Sequence, residues 1–70
     1  MAIRVTYHHE EGRWWADSPD IDGFVAGADT LEEVRALVHE GVALSIEQGL
    51  VASGPLVEST DAGDRLYGTV

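Results

Sequence analysis

From Thr30 to Gly49 the sequence carries the marks of one amphipathic helix, and that helix limits what the rest of the chain can form. Thr30 stands at the N-cap position with Glu33 three residues on. This is the capping-box spacing, in which each side chain satisfies the other's orphan backbone donor. Glu32 and Glu33 lie at the positive end of the helix dipole. Gly49 is placed to end the helix in a left-handed conformation. The helix is expected from Leu31 to about Gln48, roughly 27 Å at 1.5 Å per residue. At about 100° per residue, Leu31, Val34, Leu37, Val38, Val42, Leu44, Ser45 and Ile46 share a broad face. Glu32, Glu33, Ala36, His39, Glu40, Ala43 and Glu47 occupy the other. Gly41 falls on the buried side, where glycine costs roughly 1 kcal/mol relative to alanine. It is expected to mark a close approach to a sheet or to a second subunit. Such a helix must lie on an apolar surface, and the residues before it have to supply one.

Those residues read as strands. Ile3, Val5 and Tyr7 alternate with Arg4, Thr6 and His8, the period of a strand with two unlike faces. Gly12, after His9-Glu10-Glu11, can take the positive φ of a tight hairpin. Arg13 to Asp17 resumes as a second strand, with Trp14 expected inward beside Ala16 and Trp15 outward with Arg13 and Asp17. Ser18 to Gly23 is a turn by composition. Phe24 to Ala28 follows as a short third strand. Its small residues Ala26, Gly27 and Ala28 permit close packing from above. After the helix, Leu50 to Pro55 reads as a connection, Leu56-Val57 as extended, and Ser59 to Asp64 as a loop. Arg65 to Val70 is a candidate terminal strand. The fold expected is α+β: a three-stranded antiparallel meander, one long helix packed on it, and a possible short C-terminal strand, in the order β-β-β-α-β. Residues 1–70 form one domain.

At 70 residues a chain buries only about 60% of its unfolded surface, so a monomer is marginally stable. Without cysteine it has neither disulfides nor thiolate zinc ligands, which leaves a metal held by other ligands or a partner as the usual supports. The hydrophobic share of 44% with 24% charged residues argues against wholesale disorder. Thirteen Asp and Glu against four Arg and no Lys give a formal net charge of −9. Displacing the counterions of nucleic acid needs cations, so direct DNA or RNA binding and adhesion to an anionic membrane are not expected. A basic partner would be drawn in by the same field, which also serves plain solubility. The N-terminus lacks the basic and apolar regions of a signal peptide, and no run is long enough to span a bilayer. A soluble, cytoplasmic protein is expected.

The candidates for chemistry are few. His8 and His9, adjacent on a strand, point to opposite faces and are poorly placed to share a metal, while zinc sites favour three or four convergent ligands. Asp17, Asp20 and Asp22 invite a two-metal nuclease reading, but turn chemistry accounts for Asp20 and Asp22 and the first strand has no central carboxylate. Neither a nucleophile elbow nor a glycine-rich phosphate loop is present. No catalytic residue, cofactor site or metal site is assigned, and the chain is not expected to be an enzyme. Glu33, Glu40 and Glu47, seven apart, line one helix stripe. They read first as a solvated face and second as a surface for an arginine-rich partner. An outward Trp15 is the residue type that interfaces favour. Trp15, Asp17, Asp20, Glu33, Glu40 and Glu47 are thus the candidate partner-binding residues.

The central block resembles the HicB family of antitoxins. Gly12-Arg13-Trp14-Trp15-Ala16, Ser18-Pro19-Asp20-Ile21-Asp22-Gly23-Phe24 and Gly27-Ala28-Asp29-Thr30-Leu31-Glu32-Glu33-Val34 follow that family's hairpin strand, Pro-Asp turn, short strand and Gly-Asp-Thr helix start. The likeness spans about residues 3 to 48. Asp22 stands where the family usually has a second proline, Phe24 where it often has cysteine, and Ala28 is inserted before Asp29-Thr30. The resemblance implies a truncated ribonuclease-H-like fold and neutralisation of a small, basic, RNA-cleaving HicA-type toxin. Many members carry a further DNA-binding domain, for which no room is expected here. The alternative is an orphan module that only self-associates. A sheet covered on one face only is expected to pair, so a homodimer or larger assembly is anticipated.

Overall fold

The computed structural model describes residues 2–61. Four strands and one helix follow in the order β1 (Ile3–Glu10), β2 (Arg13–Asp17), β3 (Val25–Ala28), α1 (Leu31–Glu47) and β4 (Leu56–Thr60). They form one mixed sheet of order β3-β2-β1-β4, with α1 across one face. The fold is α+β, with the element order read from the sequence. β1 and β2 pair antiparallel through Glu10 opposite Arg13, joined by Glu11 and Gly12, both at positive φ. Two such residues make the turn whose twist matches the hairpin, and glycine is free to adopt that φ where Glu11 is strained.

β3 pairs antiparallel with β2, completing the meander. Between them Ile21 is buried, and its carbonyl accepts the Phe24 N–H at 3.2 Å across Gly23, which is at positive φ. This turn is tied back to β1 by Arg4. Its backbone N–H donates to Asp20 Oδ2 at 2.7 Å, and its guanidinium spans both carboxylate oxygens at 3.2 and 3.0 Å. A bidentate pair of this kind is directional as well as attractive.

β4 runs parallel to β1, from Leu56 opposite Ile3 to Thr60 opposite Tyr7. Ser59 and Thr60 therefore lie in a strand and not in the loop that composition suggested. The Ile3 N–H to Pro55 carbonyl bond and the Asp61 N–H to Tyr7 carbonyl bond hold its two ends, so β1 supplies a ladder that overrides the weak local preference. The candidate strand Arg65–Val70 lies outside the described residues.

The core sits between sheet and helix. Ile3, Val5 and Tyr7 from β1, Ala16 from β2 and Ala28 from β3 meet Val34, Val38 and Val42. Trp14 packs against this cluster from its edge, on the same face as Ala16, while Trp15 lies on the opposite face. α1 begins as expected: Thr30 Oγ1 accepts the Glu33 N–H at 3.1 Å. The return half of the box differs, because the Glu33 carboxylate accepts the Thr30 hydroxyl at 3.0 Å. At the other end Gly49, at positive φ, donates to Ile46 and Leu50 donates to Ser45, which is the Schellman closure. Thr30→Ala is expected to cost about 1 kcal/mol and to lower Tm by about 4–8 °C in a domain of this size. Thr30→Ser should hold Tm near the parent value in the same thermal melt.

Two helix assignments are corrected. Leu37 and Leu44 are 46% and 51% exposed and do not enter the core. They flank the Val34-Val38-Val42 row on the side of β3, a four-residue edge strand with no described strand beyond it to cover them. His39, expected on the outer face, is half-buried and turned towards β4. Gly41 does mark a close approach: a Cβ there would come within 2.8 Å of the Phe24 ring.

Candidate functional site

The helix backbone lies closer to β2 and β3 than to β1 and β4. Long polar side chains cross the wider side. Glu58, opposite Val5 in the parallel pair, points under α1 and its side chain is only 8% exposed. The Tyr7 hydroxyl donates to Glu58 Oε1 at 2.5 Å, Arg35 Nη2 to Oε2 at 3.2 Å, and His39 Nε2 lies 2.9 Å from Oε1. A buried carboxylate is tolerated only with such partners. Burial pushes the Glu58 carboxyl up, but the hydrogen bonds from Tyr7, Arg35 and His39 outweigh this and hold it below the ordinary carboxylate range. Burial, then the bond to Glu58, raises the Tyr7 phenol well above its usual value. The bond to Glu58 likewise keeps Arg35 firmly protonated. A carboxylate so stabilised is a weak base, and a phenol so raised is a weak acid. The cluster's chemistry suits it to fastening α1 to β4.

The sheet face away from α1 carries a second cluster. His8 stacks on Trp15 with ring centroids 3.9 Å apart and an interplanar angle of 17°. Its Nδ1 lies 3.2 Å from Asp61 Oδ2 and its Nε2 3.4 Å from Asp17 Oδ1. The cross-strand register puts His8 directly opposite Trp15, which explains the stack. His9 and Trp14 stack on the other face at 4.2 Å. At the end of β1, Asp20 holds Arg4, and the side-chain and backbone bonds from Arg4 keep its carboxyl below the ordinary range.

The six candidate residues divide into two groups. Trp15 and Asp17 share the sheet face away from α1, and Asp20 sits at its edge, engaged by Arg4. Glu33, Glu40 and Glu47 are exposed along α1 on the far side of the sheet, with Glu33 also serving the cap. The fold brings neither group to the other. Asp22 is exposed in its turn, apart from Asp17. Among the described residues no three His, Asp or Glu side chains form a group that could hold a metal ion. The Tyr7–Arg35–His39–Glu58 cluster was missed at the sequence level. Its trace is an Arg and a His four apart beside an apolar row, and a Glu in the alternating run Leu56-Val57-Glu58-Ser59-Thr60.

The described residues define a small α+β domain, a four-stranded mixed sheet with one helix across one face. The chain belongs to the family described as a domain of unknown function, DUF1902, whose model matches residues 1–53. That span takes in β1, β2, β3 and α1 and stops short of β4. Neither a curated protein nor a solved structure matches the chain. No helix among the described residues is long and apolar enough to cross a membrane.

Proposed function

We propose that this chain is a HicB-like antitoxin, a cytoplasmic binding protein that neutralises a small basic RNA-cleaving toxin by steric and electrostatic occlusion. The observation that carries the reading is the sheet face away from α1, which no described element covers, centred on Trp15 between Asp17 and the His8–Asp61 pair, in a chain of net charge −9. A protein that cleaves RNA needs a positive surface for phosphates. An acidic domain can cover that surface and imitate the substrate's charge without offering a bond to break. Occlusion asks for no catalytic group in the antitoxin, and four arginines are too few for it to hold nucleic acid itself.

Co-expression with any small basic protein encoded beside it tests this reading. The two are expected to co-purify, and failure to recover such a complex counts against the proposal. A second reading, an orphan self-associating module, is favoured by β3: among the described residues it is an edge strand, and its Val25 is 70% exposed. Bare edges invite pairing with another chain. Sedimentation is expected to show a dimer or larger species in either case. A stable monomer at low micromolar concentration would remove self-association from both.

A further inference from the structure

Leu37 and Leu44 are half-exposed on one flank of α1 and contribute nothing to the core. They stand two helical turns apart, about 10.5 Å along the axis. Gly41 lies between them on the same flank, and the Phe24 ring fills the space its missing side chain leaves. Leu37, Gly41 with the Phe24 ring against it, and Leu44 thus follow one another along an apolar flank. Glu33, Glu40 and Glu47 form the adjoining row on the solvent side, offset from the leucines by roughly 40–60° about the axis. The last turn of α1 has no basic residue to offset them. The outer face thus has an apolar row and an acidic row side by side.

From this juxtaposition we infer that the Leu37–Phe24–Leu44 flank of α1 docks an amphipathic helix of a basic protein, with leucine-type side chains on the strip and Arg or Lys along the glutamate row. Charge chooses the occupant. Antiparallel pairing of two copies through the leucines would set glutamate row against glutamate row, between chains each of net charge −9. A basic helix meets both rows favourably. Helix-in-groove recognition uses anchors at this spacing, and the apolar strip supplies the desolvated centre that gives such contacts their strength. The inference rests on the proposed function only in taking the partner to be basic. It adds the α1 flank as a second docking surface beside the sheet face around Trp15 on which that function is proposed.

The probe is a synthetic helical peptide of about five turns, with one row of leucines and an adjacent row of arginines. It is added to the intact chain while backbone amide shifts are followed by NMR. Shifts are expected to cluster at Leu37, Glu40, Leu44 and Glu47. The double variant Leu37→Ser/Leu44→Ser is expected to bind at least about tenfold more weakly, Glu40→Gln/Glu47→Gln to lose the salt dependence, and Glu10→Gln, at the exposed end of β1, to bind as the parent does. Because both leucines are exposed, the serine variant should keep the parent's circular dichroism. Shifts centred on the sheet face overturn the inference, as do unaltered affinity in the serine variant and a dimer of the chain that Leu37→Ser dissociates. Pull-downs separate this from the toxin reading. A neighbouring toxin that co-purifies equally with the serine variant leaves the antitoxin reading standing and removes this surface. Peptide binding at α1 without any co-purifying neighbour does the reverse.

Discussion

Glu58→Ala is expected to lower stability by about 3–5 kcal/mol, because it breaks a buried ion pair and removes the carboxylate that Tyr7, Arg35 and His39 share beneath α1. A 70-residue domain has about 4–10 kcal/mol in total at roughly 0.05–0.15 kcal/mol per residue, so this one change takes much of it. Urea titration followed by circular dichroism is the measurement. A companion variant isolates the cause: replacing Glu58, Arg35 and His39 together by apolar residues of similar volume should restore most of the lost stability, since the whole charged cluster is then replaced by packing. Acid acts in the same direction. Glu58 and Asp20 both titrate below their ordinary values in the folded chain. Their contributions are therefore complete above the unfolded carboxylate range, about pH 4, and are lost as pH falls through the folded values. The urea midpoint should fall steeply with acid below about pH 4, and more gently in Glu58→Gln. A midpoint that rises on acidification, or an equal slope in the variant, contradicts this account of the cluster.

Tyr7→Ala is expected to be of similar size, about 3–5 kcal/mol, for a different reason. The ring is fully buried at the junction of β1, β4 and α1, and its removal leaves a cavity between sheet and helix and takes one hydrogen bond from Glu58 Oε1, which His39 still approaches. Tyr7→Phe separates the two effects. It keeps the ring and removes only the hydroxyl bond to a charged acceptor, at a cost of about 1.5–3 kcal/mol. Near-identical midpoints for the Phe and Ala variants would mean that the bond alone matters and packing does not.

Local pattern carries the meander and the helix. The alternation of Ile3, Val5 and Tyr7 with Arg4, Thr6 and His8 predicts both faces of β1, and Thr30 and Gly49 mark the ends of α1 within a residue. What escapes is non-local. β4 exists because β1 offers it a parallel edge, and Ser59-Thr60 taken alone resembles a loop. Leu37 and Leu44 fit a buried helical face by periodicity, yet the narrow sheet ends before it reaches them. His39 looks solvent-facing until Glu58 is placed opposite it by a strand far along the chain. Among the candidate site residues, Trp15 and Asp17 fall on one face by strand period and the three glutamates on another by helical period. The engagement of Asp20 by Arg4 needs the folded turn to be seen.

The most direct test of the claim that this domain acts as an acidic cover is an RNA-cleavage titration. Any small basic protein encoded beside it is held at fixed concentration with labelled RNA, and the purified chain is added stepwise. Cleavage is expected to vanish as the chain reaches equimolar amounts and to return at high salt. Cleavage that continues with the chain in excess, or RNA cut by the chain alone, would contradict the claim.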